Sequence, residues 1–242
     1  MMSAPSLAAA VGPSAYWYLT RSTGAVALVL LTASVALGVA DVRRIATERW
    51  PRFAIDALHR NVSLLAVAFL VVHIVTSVLD SFAPISLVAA VIPFTSAYRP
   101  FWLGLGAIAF DLVLAVVLTS VVRRRLGHQA WRATHWLAYA SWPVAVLHTF
   151  GTGSDVKTAW LLLLTIACIA AVIGALLVRL LSGWPDNARV RGAALGGVGA
   201  FGLFLVLWLP GGPLGHEWAR RAGTPSSLLH HSSGTASGAR ER

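Results

Sequence analysis

LHRNVSLLAVAFLVVH (Leu58–His73) and HWLAYASWPVAVLH (His135–His148) are the two stretches that decide how this chain folds. Both are apolar enough to lie in a bilayer, and both carry a histidine near either end. His59 and His73 are 14 residues apart, and His135 and His148 are 13 apart. At about 1.5 Å per helical residue, each pair spans roughly 20 Å of a hydrocarbon core about 30 Å thick. Ionisable or ligating side chains at that depth are costly and are kept for function. Two helices with two imidazoles each, at matching depths, can ligate two haems stacked across a membrane. A single membrane histidine is as often an ordinary polar residue in an interhelical hydrogen bond. The matched pairing of four argues against that reading.

Composition supports the membrane assignment. The 242 residues are 57% hydrophobic and 12% charged, against about 25% charged in a soluble domain. The net charge of +10 does not point to nucleic acid, because the arginines cluster in loops between apolar runs, as membrane topology arranges them. Lys157 is the only lysine, a bias that fits a GC-rich bacterial genome and a bacterial plasma membrane. Cys168 is the only cysteine and lies in an apolar run. It excludes an intrachain disulfide and a cysteine-held cluster. No CxxCH is present, so covalent haem attachment is not expected. The N-terminal segment 1–14 has no basic region before its apolar stretch and does not read as a cleaved signal peptide.

The expected architecture is all-α, a polytopic membrane bundle of six transmembrane helices with both termini outside. The spans are about Tyr16–Ala40, Ile55–Leu79, Phe101–Val122, Trp131–Phe150, Thr158–Leu181 and Ala193–Pro210. Arg43, Arg44, Arg49, Arg52 and Arg60 mark the first loop; Arg123, Arg124, Arg125 and Arg132 mark the third; Arg179, Arg189 and Arg191 mark the fifth. The positive-inside rule makes these loops cytoplasmic. The other face has Arg21, Arg99 and Lys157, with Arg220, Arg221, Arg240 and Arg242 in the tail. Residues 15–181 form the five-helix core, 182–210 a cytoplasmic loop and sixth helix, and 211–242 a Gly/Ser/Pro-rich tail expected to be disordered and extracytoplasmic.

In this topology His59 and His135 lie near the inside, and His73 and His148 toward the outside. On an ideal helix His73 returns to within about 40° of His59, whereas His148 falls about 140° from His135. Pro143, between them, is expected to supply the change of winding.

At these residues the chain resembles the ferric reductase-like transmembrane family, whose pattern is two histidines 14 apart on one helix and 13 or 14 apart on another. RSTGAVALVLL (Arg21–Leu31) is similar to that family's first core helix. The resemblance covers about residues 15–181. It implies an inner b-type haem between His59 and His135 and an outer one between His73 and His148. Such bis-histidine haems carry electrons without binding substrate at the metal. Haem propionates need cationic partners: Arg21 is expected near the outer haem, and Arg60 or Arg132 near the inner one, with anchoring at the membrane surface as the alternative for the last two.

Long members of the family continue into a flavin and nicotinamide domain, which is not expected within these residues. GVGAFG (Gly197–Gly202) has the GxGxxG letters but sits in an apolar run without a strand–turn–helix context; it is assigned to helix packing. Electrons are then expected from a flavoprotein or quinol donor, and the expected outer acceptor is a ferric complex, oxygen or an extracytoplasmic partner protein, FMN-bearing in some systems. Quinol-linked service to a reductase such as methionine sulfoxide repair is the second reading, and a non-redox metal-ion carrier the third. Asp111 in mid-span is read as a proton relay or a structural hydrogen bond. His128 is expected to face solvent, and His216, His230 and His231 lie in or near the tail.

Overall fold

The computed structural model describes residues 14–42, 51–81, 83, 85–153, 155–182 and 185–229. These form α1 (Ala15–Val42), α2 (Arg52–Leu79), a short α3 (Leu87–Val91), α4 (Pro100–Val121), α5 (Arg123–His135), α6 (Leu137–Thr152), α7 (Ala159–Leu181), α8 (Ala188–Gly211) and a short α9 (Trp218–Arg221). Among the described residues there is no strand. Arg43, Arg44, Arg49, the side chain of Arg52, His230, His231, Arg240 and Arg242 lie outside the described residues.

Five helices, α1, α2, α4, α7 and α8, are long and apolar enough to cross a membrane. The expected fourth span is not one helix. It breaks at Trp136, whose N–H turns back to the carbonyls of Ala133 and Thr134, and the apolar part that remains, α6, has 16 residues. Pro143 sits inside α6 without ending it; proline's fixed φ suits a helix, and the neighbouring helices of a bundle compensate for the lost bond. The interruption between His135 and His148 therefore falls at Trp136 rather than at Pro143. Arg189 and Arg191 belong to the start of α8, not to a loop.

The core is built on α1, which packs along α2 and also meets α6 and α7. Leu28 and Val35 of α1 join Trp142, Val146 and Phe150 of α6 and Cys168 and Val172 of α7 in one buried cluster. Trp142 donates its indole N–H to Thr32 Oγ1 at 2.9 Å, so the largest core side chain carries no unpaired polar atom. Outward-facing leucines and valines such as Leu64, Val71, Leu118, Leu163 and Val206 stay exposed, as side chains facing lipid do.

The tail departs from expectation. Residues 212–229 are not an unstructured extension but fold back over one end of the bundle. Trp218 sits against Trp102 (centroids 5.2 Å apart) and Trp208 (5.9 Å). Its indole N–H reaches Gly151 O at 3.3 Å. Arg99 stitches the fold: its backbone N–H bonds Gly223 O at 3.0 Å, and its side chain bonds Thr224 Oγ1 at 2.9 Å and Gly151 O at 3.0 Å. Arg99 holds φ 42° immediately before Pro100, a left-handed conformation that these bonds stabilise. The glycines of α8 also depart from expectation: among the described residues, a Cβ at Gly196, Gly197, Gly199 or Gly202 would meet no atom within 4 Å, so they pack against none of these residues.

Candidate functional site

The four histidines come together in two pairs. His73 on α2 faces His148 on α6, with ring centroids 6.4 Å apart and planes at 81°. His59 on α2 faces His135 at the end of α5, again 6.4 Å apart, with planes at 68°. An atom bonded to one nitrogen of each ring at about 2.0 Å, with each ring centre about 1.1 Å further back, separates the centroids by about 6.2 Å. Both pairs match that spacing. Among the described residues no group of three or more His, Cys, Asp or Glu could hold a metal ion. A metal at either pair would therefore take its remaining donors from a ligand such as a porphyrin.

Three of the rings are oriented by the same device. His73 Nδ1 bonds Thr20 O at 2.8 Å, His59 Nδ1 bonds Ser34 O at 3.0 Å, and His148 Nδ1 bonds Trp102 O at 2.9 Å. With Nδ1 donating to a carbonyl, the other ring nitrogen is the one free to ligate. Four residues after each acceptor stands a glycine against the same ring. An added Cβ would lie 2.9 Å from His73 at Gly24, 3.5 Å from His59 at Gly38 and 2.5 Å from His148 at Gly106. Gly24 and Gly38 are 14 residues apart on α1, the same interval as His73 and His59 on the antiparallel α2. His135 lacks the device: its Nδ1 is buried with no hydrogen-bond partner.

The outer pair lines a cavity of ≈ 270 Å³ between α1, α2, α4 and α6. Its wall is mostly apolar, with Thr20, Arg21 and Asp155 at its polar edge. Thr20 Oγ1 is buried there without a partner, an orphaned hydroxyl that fits a polar group on a ligand filling the cavity. Arg21 forms an ion pair with Asp155 and lies 3.4 Å over the Trp17 ring. Arg21 lines the same cavity as His73 and His148. Arg60 and Arg132 are exposed. Asp111 is half-buried on α4; His128 and His216 are exposed.

Several residues here escaped the sequence reading. The 14-residue glycine interval was a usable signal. Asp155, Arg99 and the carbonyls of Thr20, Ser34 and Trp102 gave none, because every residue has a carbonyl and the loop charges look alike.

Comparison with known proteins agrees with this geometry. Residues 23–146 match the model of the ferric reductase like transmembrane component. The chain belongs to that family. It is also similar to the heme-binding subunit MsrQ of the protein-methionine-sulfoxide reductase of Ralstonia nicotianae (strain ATCC BAA-1114 / GMI1000), 30% identical over 134 residues, which is 54% of this chain and 57% of that relative. The match thus spans a little over half the length of that relative. No solved structure matches the chain at a significant level. The family match covers α1, α2, α4 and α5 and reaches α6 just short of His148.

Proposed function

We propose that this chain is a membrane electron-transfer subunit holding two b-type haems, one between His59 and His135 and one between His73 and His148. The observation that carries the reading is the shared 6.4 Å separation of the two ring pairs, at two levels of one bundle. A haem held by His59 and His135 or by His73 and His148 would supply one-electron chemistry.

The chain's own residues do the rest. His73 and His148 grip from opposite sides, and their Nδ1 bonds fix ring orientation and raise ligand basicity. Thr20 and Arg21 offer a hydroxyl and a charge at the cavity edge for propionates, and the apolar wall excludes water. Trp142, seven residues from His135 and six from His148, fills the core between the two levels. Counting the 16-residue apolar α6 as a crossing beside the five long helices gives six. The end bearing Arg123, Arg124, Arg125 and Arg179 is then cytoplasmic, and both termini are outside.

The likeness to a heme-binding subunit of a methionine-sulfoxide reductase favours service to an extracytoplasmic reductase, with quinol as donor. A cytoplasmic flavoprotein donor, in the manner of ferric reductases, is the second reading, favoured by the family match. Dependence of haem reduction on added quinol in sealed vesicles separates the two.

The test of the core proposal is the reduced-minus-oxidised spectrum of purified protein with haem counted per chain. Two low-spin b-type haems are expected, and His73→Ala should remove mainly the outer one. Full retention of both in that variant, or a colourless wild type expressed with ample haem, would sink the assignment.

A further inference from the structure

We propose that His135 is an exchangeable ligand, so that the inner haem, unlike the outer, can open a coordination position to a small exogenous ligand. The inference rests on the two-haem reading above and on three observations about one corner of the site.

The first is the missing hydrogen bond. His59, His73 and His148 each donate Nδ1–H to a helix carbonyl, and His135 Nδ1 is buried without a partner. Such bonds hold a ligating imidazole in place, and the His135 ring has none.

The second is the reason the bond is missing. Counting forward along α4 from Gly106 by the 13 or 14 residues between paired histidines reaches Thr119 and Ser120, where the other corners have glycine. The carbonyls four residues earlier belong to Ala115 and Val116, and both are engaged. Thr119 Oγ1 donates to Ala115 O at 2.7 Å and Ser120 Oγ to Val116 O at 2.7 Å. Each of these carbonyls also lies within α4, where it takes the usual backbone N–H. Hydroxyl side chains that bond back to their own helix thus stand where the other three corners have glycine.

The third is the element that carries the ring. His59, His73 and His148 lie inside helices that run on past them, whereas His135 is the last residue of α5. That helix has no buried residue, a non-helical Gly127 (φ 78°, ψ 160°) in its interior and the break at Trp136 after it. Among the described residues, its side chains tie to the bundle through one hydrogen bond, Trp131 Nε1 to Ser120 Oγ at 3.3 Å. The Trp131 ring then rests against His135 with centroids 5.0 Å apart. A surface helix hinged at Gly127 and Trp136 can lift, and His135 lifts with it. Trp131 is the positioning residue that holds it down.

Carbon monoxide added to dithionite-reduced, detergent-purified protein tests this, read in the haem absorption bands with haem counted per chain. About half of the haem should react, at a rate that stops rising with carbon monoxide once release of His135 limits it. His59→Ala should abolish the reaction and leave one unreactive haem, and His73→Ala should leave a reactive one. Trp131→Phe keeps the ring but drops the bond to Ser120. It should raise the limiting rate about fivefold, the usual worth of one such hydrogen bond, and it keeps the proposal testable if His59→Ala does not fold. Two haems that both ignore carbon monoxide would overturn the proposal. So would a reactive haem that survives His59→Ala and vanishes in His73→Ala, or a limiting rate unmoved by Trp131→Phe. A chain that binds no haem would instead overturn the reading on which it rests.

Discussion

At the scale of single residues, the site depends on what is absent as much as on what is present. A methyl group at Gly106 would sit 2.5 Å from the His148 ring, and one at Gly38 would sit 3.5 Å from His59. The first distance is a clash against a ring pinned by Trp102 O; the second is ordinary contact. Gly106→Ala should therefore lose most of the outer haem, and Gly38→Ala should keep the inner one. Haem per chain in the two purified variants checks this, and equal retention would show that α4 can back away at no cost. Trp142 makes a second residue-level case. It is 3% exposed and bonded to Thr32, so Trp142→Ala should cost about 3–5 kcal/mol of stability, and Trp142→Phe about 1 kcal/mol through the lost bond. Thermal melts in one detergent would read both, and a smaller loss for alanine than for phenylalanine would contradict the packing described here. The histidines were legible in the sequence because ligating side chains at membrane depth are rare. Their acceptors were not, since a carbonyl has no letter.

At the scale of elements, two features were misread for physical reasons. The run Trp131–Phe150 is apolar enough to look continuous. Hydropathy does not register a single turn such as the one at Trp136, which separates α5 from α6. The tail was averaged over residues 211–242, whose Gly, Ser and Pro content hides Trp218 and Thr224. Those two residues are what Arg99, Trp102 and Gly151 require. Arg99 is 4% exposed, and burial lowers its pKa from the ordinary arginine value; it stays charged through its bonds to Gly151 and Thr224. Arg99→Ala removes a charged donor from two acceptors and should cost about 1.5–3 kcal/mol for each bond that nothing replaces. Because Trp102 supplies the carbonyl that orients His148, the outer haem should be released at a lower temperature in this variant, with the inner haem following the wild type. Heating in detergent while recording the haem bands tests it, and simultaneous release of both haems would mean that the folded-back tail stabilises the bundle as a whole.

At the scale of the whole molecule, the contacts at the bundle ends constrain topology independently of charge. Lys157, just before α7, donates to Gly215 O at 2.8 Å, so the start of α7 and the stretch after α8 share one end. Ser14 bonds Asp80 at 2.9 Å and Arg21 pairs with Asp155, which brings the start of α1 and the end of α2 to that same end. Arg191 donates to the carbonyls of Arg179 and Leu180 at 3.2 and 3.0 Å, marking the opposite end, where α7 finishes and α8 begins. On the proposal that this arginine-bearing end is cytoplasmic, the contacts fix the side of the other described segments with it. Cys168, the only cysteine, is 5% exposed and gives a quiet background for labelling. A membrane-impermeant maleimide on intact cells should label Ala159→Cys and Ser226→Cys, both at exposed positions of the outer end. It should label Arg124→Cys only after the cells are broken. The reverse pattern would invert the molecule and exchange the inner and outer haem assignments. Labelling of Ala159→Cys and Ser226→Cys from opposite sides would break the link between α7 and the tail, because the Lys157–Gly215 contact requires both on one side.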